Sequence, residues 1–282
     1  MCGTCGCALP DRHHGHDDEH TGHPVHDLHT DAHDHGRPDL RRDSVAVFDR
    51  LLDANDREAA HNREHLDHHR VLAINLMSSP GAGKTQLLEA TIDALAGRLR
   101  LAVIEGDLET ENDARRIRAK GVPAVQITTG TACHLDAHMV HHALHDIDLA
   151  GLDILFIENV GNLVCPAGFD LGHHLNVTLL SVTEGDDKPA KYPVMFRAAD
   201  LLLLTKTDLL RVIDDFDPTA AVANFRALAN PAPVLPLSAR VPASLAGWIA
   251  WLDTQLARRR SGAVPQPRAP SEARARHAAA TP

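Results

Sequence analysis

Lys84 and Thr85, set directly behind Gly81-Ala82-Gly83, pair an ammonium and a hydroxyl with a glycine-rich turn. Those residue types in that order suit a phosphate chain and its divalent cation. Glycines let backbone N–H groups turn inward around an anion, and a following helix adds free N–H groups and the positive end of its dipole. Lys84 would neutralise the β- and γ-phosphates and the Thr85 hydroxyl would hold Mg²⁺, with Gly81, Ala82, Gly83 and Gln86 completing the cradle. Ser78 stands where the pattern GxxxxGK[ST] has its first glycine, so the match falls short by one residue.

A second chemistry lies in sulfur and imidazole. Cys2, Cys5 and Cys7 place three thiolates close enough to bend around one borderline ion, Ni²⁺ or Zn²⁺. His13, His14, His16, His20, His23, His26, His29, His33 and His35 follow, interleaved with aspartates. Such a stretch has too little apolar content to offset its ordering entropy, and it reads as a disordered buffer for several ions. Farther on, Cys133-His134 and Cys165 form another candidate Ni/Zn set, expected beside the nucleotide and open to exchange. His138, His141 and His145 are placed on a helical face with His134, and they read as a polar helix face. His61, His65, His68 and His69 read the same way.

The elements that must position these groups follow from apolar periodicity. Runs at 71–77, 101–104, 124–127, 154–157, 177–182, 201–204 and 234–237 read as strands, mostly separated by helix-length segments. That alternation implies an α/β fold: a largely parallel, doubly wound sheet with ligands at the carboxyl ends of its strands. Candidate chemistry sits after each run. Asp107 follows the second and would hold Mg²⁺ or orient a water. Glu158-Asn159-Val160-Gly161 follows the fourth and resembles the DxxG element of G proteins, with Glu158 toward Mg²⁺ and the Gly161 N–H toward the γ-phosphate. Thr205-Lys206-Thr207-Asp208 resembles the guanine-reading NKxD element, and Ser238-Ala239-Arg240 resembles its companion SAK loop. A carboxylate at Asp208 would accept from guanine N1–H and the exocyclic amine, a donor pair that adenine lacks. The catalytic set expected is therefore Lys84, Thr85, Asp107 and Glu158.

The 282 residues divide on this reading into a Cys/His-rich metal tail (1–40), a connecting helix (41–70), a P-loop GTPase domain (71–260) and a disordered Ala/Pro/Arg-rich tail (261–282). A formal charge of −10 argues against nucleic acid. No apolar run approaches the roughly 18–20 residues that span a bilayer, and no secretory signal is evident, so a soluble cytoplasmic chain is expected. Five cysteines, an odd number, favour metal binding over a disulfide framework.

Taken together, CxxCGC, SSPGAGKT, IEGD with Asp113-Ala114, TGTACHLDAHMV, ENVGNLVCP and KYPVMFRAADLLLLTKTDLL resemble the hydrogenase nickel-incorporation GTPases, HypB-type, of the SIMIBI class. The likeness covers residues 1–7 and 44–255. It implies a GTP-dependent homodimer with Cys133, His134 and Cys165 near its interface. It also implies a HypA-type zinc-containing partner and delivery of nickel to a nickel–iron hydrogenase large-subunit precursor. With no arginine finger evident, GTP hydrolysis to GDP is expected to be slow. Three alternatives compete: a urease-type nickel GTPase, whose Cys-Pro-His motif differs from Cys133-His134; a nickel or zinc storage protein; and a P-loop ATPase or kinase.

Overall fold

The computed structural model describes residues 40–107 and 111–263, with side chains from residue 50. Cys2, Cys5, Cys7, the histidine-rich run, Glu109, Thr110 and residues 264–282 lie outside the described residues. Contacts separate residues 1–51 from residues 52–282. Of the first unit the helical stretch 40–51 is described; the second carries the fold.

Seven strands form one sheet: β1 (Leu72–Met77), β2 (Leu101–Asp107), β3 (Ala124–Thr128), β4 (Ile154–Glu158), β5 (Leu175–Ser181), β6 (Leu201–Thr205) and β7 (Val234–Pro236). Their order is β3-β2-β4-β1-β5-β6-β7, with every neighbouring pair parallel. The helices are α1 (Leu40–His68), α2 (Lys84–Leu95), α3 (Asn112–Ala119), α4 (Ala137–His145), α5 (Lys188–Lys191), α6 (Pro193–Ala198), α7 (Pro218–Arg226) and α8 (Ala246–Arg260). β1 lies between β4 and β5, where the winding of the chain reverses. The loop that leaves its carboxyl end therefore opens into the crevice where such sheets take ligands.

The central strands are apolar on both faces because helices cover both. From β1, Leu72, Ile74 and Leu76 pack with Leu88, Ile92, Ile117, Trp248 and Leu252, while Ala73 and the preceding Val71 pack with Leu66, Val140 and Leu144. A third cluster joins Met77, Leu180 and Leu202 to Phe196 and Phe225. Among the described residues no helix is long and apolar enough to cross a membrane.

Two features differ from the sequence reading. The second and fourth runs extend to Asp107 and Glu158, because strand pairing continues past the last apolar residue: Glu105 is in register with both Glu158 and Gln126, and Asp107 with Thr128. Asp107 thus closes β2 itself, and α3 begins only at Asn112. His134 lies outside α4, whose N-cap is Asp136 accepting from the Met139 N–H at 2.8 Å. It belongs to the preceding loop and shares no helical face with His138, His141 and His145.

The stripe of α1 that turns inward is Leu52, Asn55, Ala59, Asn62 and Leu66, at helical spacing, whereas Leu51 is exposed. The two asparagines act as backbone clamps. Asn55 accepts from Ala137 N–H at 2.9 Å and donates to the Asp170 carbonyl at 2.8 Å. Asn62 donates to the carbonyls of Ala137 and Leu171 at 2.8 and 3.2 Å. Gly172, at φ +85°, admits this close approach: a Cβ there would lie 2.5 Å from Asn62 Cβ.

Candidate functional site

The loop between β1 and α2 carries positive φ at Gly81 (76°) and Gly83 (96°), which turns its amides into a concave cradle at the α2 N-terminus. Ser78 is buried, and its hydroxyl receives a hydrogen bond from Lys84 Nζ at 3.2 Å. The residue that breaks the glycine pattern therefore holds the lysine in place. Thr85 Oγ1 donates to Glu158 Oε1 at 2.9 Å, and Lys84 Nζ stands 3.9 Å from the same oxygen.

A cleft of about 600 Å³ opens over this cradle, lined among others by Gly83, Thr85, Gln86, Asp107, Gly161 and Lys206. A smaller cavity of about 170 Å³ adjoins it, bounded by Gly83, Gln86, Asp208, Ser238, Ala239 and Arg240. The walls between them are tied together. Thr205 Oγ1 donates to the Ala82 carbonyl at 2.8 Å, and Lys206 Nζ donates to the Gly81 carbonyl at 2.6 Å. Thr207 N–H reaches the Leu237 carbonyl at 3.2 Å, which draws together the loops that follow β6 and β7.

Glu105 carries no role in the sequence reading, yet it is a strongly perturbed acid of the cleft. It lies beside Glu158, and Asp113 is near enough that one oxygen of each falls within 4.8 Å of the others. Burial pushes Glu105 up to about 11, and the neighbouring Glu158 carboxylate pushes the same way. Burial likewise raises Glu158, against the pull of the Lys84 ammonium. The Oε2 atoms of both acids are buried without a hydrogen-bond partner. Two carboxyls, an aspartate and a hydroxyl, all oxygen and partly unsatisfied, make a donor set for a hard cation. The strand register was the signal that could have found Glu105, since it sits opposite Glu158 and points the same way as Asp107.

The sulfur and imidazole ligands converge. Cys133 Sγ lies 3.1 Å from Cys165 Sγ and 3.7 Å from His134 Nδ1, and all three residues are half-buried. His134 stacks on Phe169 with centroids 3.9 Å apart, and burial lowers its pKa, which leaves the neutral imidazole that a metal needs. The segment that ends β4 connects the two sites. Gly161 packs so closely on the phosphate loop that a Cβ would sit 2.8 Å from Pro80 Cα. One residue later, Asn162 Nδ2 donates to the Cys133 carbonyl at 3.3 Å, and Cys165 follows. Asn159 Oδ1 accepts from Leu135 N–H at 3.2 Å, anchoring the other side of the same loop.

A parallel sheet with a glycine-turned phosphate loop at its switch point and acids on the flanking strand ends defines a P-loop nucleotide-binding protein. The profile of the CobW/HypB/UreG nucleotide-binding domain matches residues 72–234, and the chain belongs to that family. Its likeness is to the HypB branch. It is 56% identical over 205 residues to the hydrogenase maturation factor HypB of Azotobacter vinelandii, covering 73% of this chain and 67% of that one. Identity to the Escherichia coli K12 HypB is 47% over 231 residues, covering 82% and 79%. The crystal structure of Helicobacter pylori HypB in complex with nickel superposes with a TM-score of 0.69 at 41% identity, covering 75% of this chain and 97% of that one.

Proposed function

We propose that this chain is a GTP-hydrolysing nickel chaperone. It holds Ni²⁺ on Cys133, His134 and Cys165 and surrenders it, under nucleotide control, to a nickel–iron hydrogenase large-subunit precursor. The observation that carries this reading is the shared connector Glu158–Cys165. It touches Thr85 at one end, rests on the phosphate loop at Gly161, and supplies a metal ligand at the other end. Movement of Gly161 toward or away from a γ-phosphate then reaches Cys133 through Asn162 and changes its setting beside Cys165.

Several contacts support the parts of this reading. Gly81, Gly83, Lys84, Thr85 and Gln86 line the larger cleft, which supports phosphate binding there, and Asp208, Ser238 and Ala239 line the adjoining cavity, which supports a guanine reading. The Helicobacter pylori HypB structure is a complex with nickel, which supports nickel as the ion held here. Val164, exposed beside Cys165, suits a GTP-dependent homodimer whose interface closes over the metal. A HypA-type partner and the hydrogenase precursor complete the transfer. Hydrolysis is slow, as fits a switch.

Mg²⁺ fits the oxygen donors Thr85, Glu158, Asp107, Glu105 and Asp113. When bound, it neutralises charge on the β- and γ-phosphates. Glu105, raised to about 11, keeps a proton at neutral pH until a cation replaces it. Loading Mg²⁺ with nucleotide at pH 7.5 is therefore expected to release about one proton, read from calorimetric heats in buffers of different ionisation enthalpy. Heats that do not vary with buffer would remove this role of the acid pair.

The function is tested in a host deleted for this gene. Hydrogenase activity is expected to be lost at low nickel and restored by excess nickel. A Lys84→Ala copy is expected not to restore it at low nickel. Activity that excess nickel cannot rescue would point to assembly rather than delivery, and a fully active Lys84→Ala copy would favour storage.

A further inference from the structure

From sequence the histidines of α1 and α4 read as solvated helix faces. The fold brings them together. Glu58 and His61 on α1 and His141 on α4 each offer a donor atom, and those three atoms lie within 4.8 Å of one another. Glu58 Oε1 is 3.4 Å from His141 Nδ1, and the His61 and His141 rings are 5.0 Å apart. His145 extends the set, its Nε2 standing 3.2 Å from His141 Nε2.

We propose that Glu58, His61 and His141, with His145 at their edge, form a second exchangeable site for a borderline divalent cation, separate from Cys133, His134 and Cys165 and built from nitrogen and oxygen donors. Two nitrogens bound to one ion at about 2.0–2.1 Å lie about 2.9 Å apart at a right angle and about 3.4 Å apart at the tetrahedral angle. The His141–His145 separation falls between those limits.

The residue behind His141 supports the assignment. Asn62 spends its amide hydrogens on the carbonyls of Ala137 and Leu171, so its Oδ1 faces His141 Nδ1, at 3.0 Å, as an acceptor. That contact fixes the orientation of the ring, as an outer hydrogen bond does for a ligating histidine. Imidazole with one carboxylate suits Ni²⁺, Zn²⁺ or Cu²⁺ better than Mg²⁺.

The placement gives the site a use. Asn62 and Asn55 both hold Ala137, which opens α4 three residues after His134, so the proposed site lies along the helix that follows the Cys133-His134 loop. His61 is exposed, leaving the proposed site open to exchange. An ion can wait there on weaker, faster donors before meeting the thiolates.

The test follows histidine side-chain ¹⁵N resonances of the full chain during Zn²⁺ titration, which separates these rings from the N-terminal histidines. His61 and His141 are expected to shift together and saturate at a common Zn²⁺ concentration. Glu58→Gln should raise that concentration at least about tenfold, since losing even an outer partner costs 10–100-fold. The proposal is overturned if His61 and His141 stay unmoved while other histidines saturate, or if they shift at unrelated concentrations. An unchanged midpoint in Glu58→Gln would likewise overturn it, because the carboxylate would then be no ligand.

Discussion

Asp208→Asn is expected to lower affinity for GTP by about 10–150-fold for each hydrogen bond lost and to raise affinity for xanthosine triphosphate. The carboxylate offers acceptors only, which match guanine N1–H and its exocyclic amine. An asparagine presents an NH₂ group to that amine, donor against donor. Xanthine carries a carbonyl there, and the same NH₂ can donate to it. The base-side cavity is small, and its loops are fastened to the phosphate loop by Thr205 and Lys206, so the side chain has little room to turn away. Competition of both triphosphates against a fluorescent GDP analogue measures the shift. Undiminished GTP affinity in the variant would mean that Asp208 does not read the base.

What the sequence made legible was chemistry at strand ends. Apolar runs located every strand, and GAGK, ENVG, TKTD and SAR each follow one, because a parallel sheet delivers its loops to one edge. Less visible were residues whose meaning depends on register. Glu105 looks like the polar stop after Ile104 until β2 is set beside β4, which places it opposite Glu158. Asn55 and Asn62 interrupt the apolar stripe of α1, and only the fold shows that they clamp the turns on either side of the metal loop. His134 looked continuous with α4 because helical spacing extends arithmetically through a cap, whereas Asp136 ends the helix there. Thr205, a departure from asparagine in the guanine motif, keeps a hydroxyl donor. That suffices to reach the Ala82 carbonyl.

Cys165→Ser is expected to lower Ni²⁺ affinity at the cysteine–histidine site by more than the 10–100-fold that losing an outer-shell partner costs. A hydroxyl is a poor ligand for a borderline ion that prefers thiolate, and what remains is one sulfur and one imidazole. His134 cannot compensate by moving, because its ring is pinned on Phe169. The measurement needs a background with Cys2, Cys5 and Cys7 changed to serine, so that sulfur-to-nickel charge-transfer absorption reports this site alone. In that background the band is expected to differ between GDP and a non-hydrolysable GTP analogue, since Gly161 and Asn162 connect the phosphate loop to the Cys133 carbonyl. Cys165→Ser should weaken the band and move its half-saturation to higher Ni²⁺, since the Cys133 thiolate alone remains to give it. A band of unchanged strength and midpoint in the variant would place nickel elsewhere. A band in the parent that is blind to nucleotide would leave the connector between Pro80 and Cys133 as packing rather than transmission.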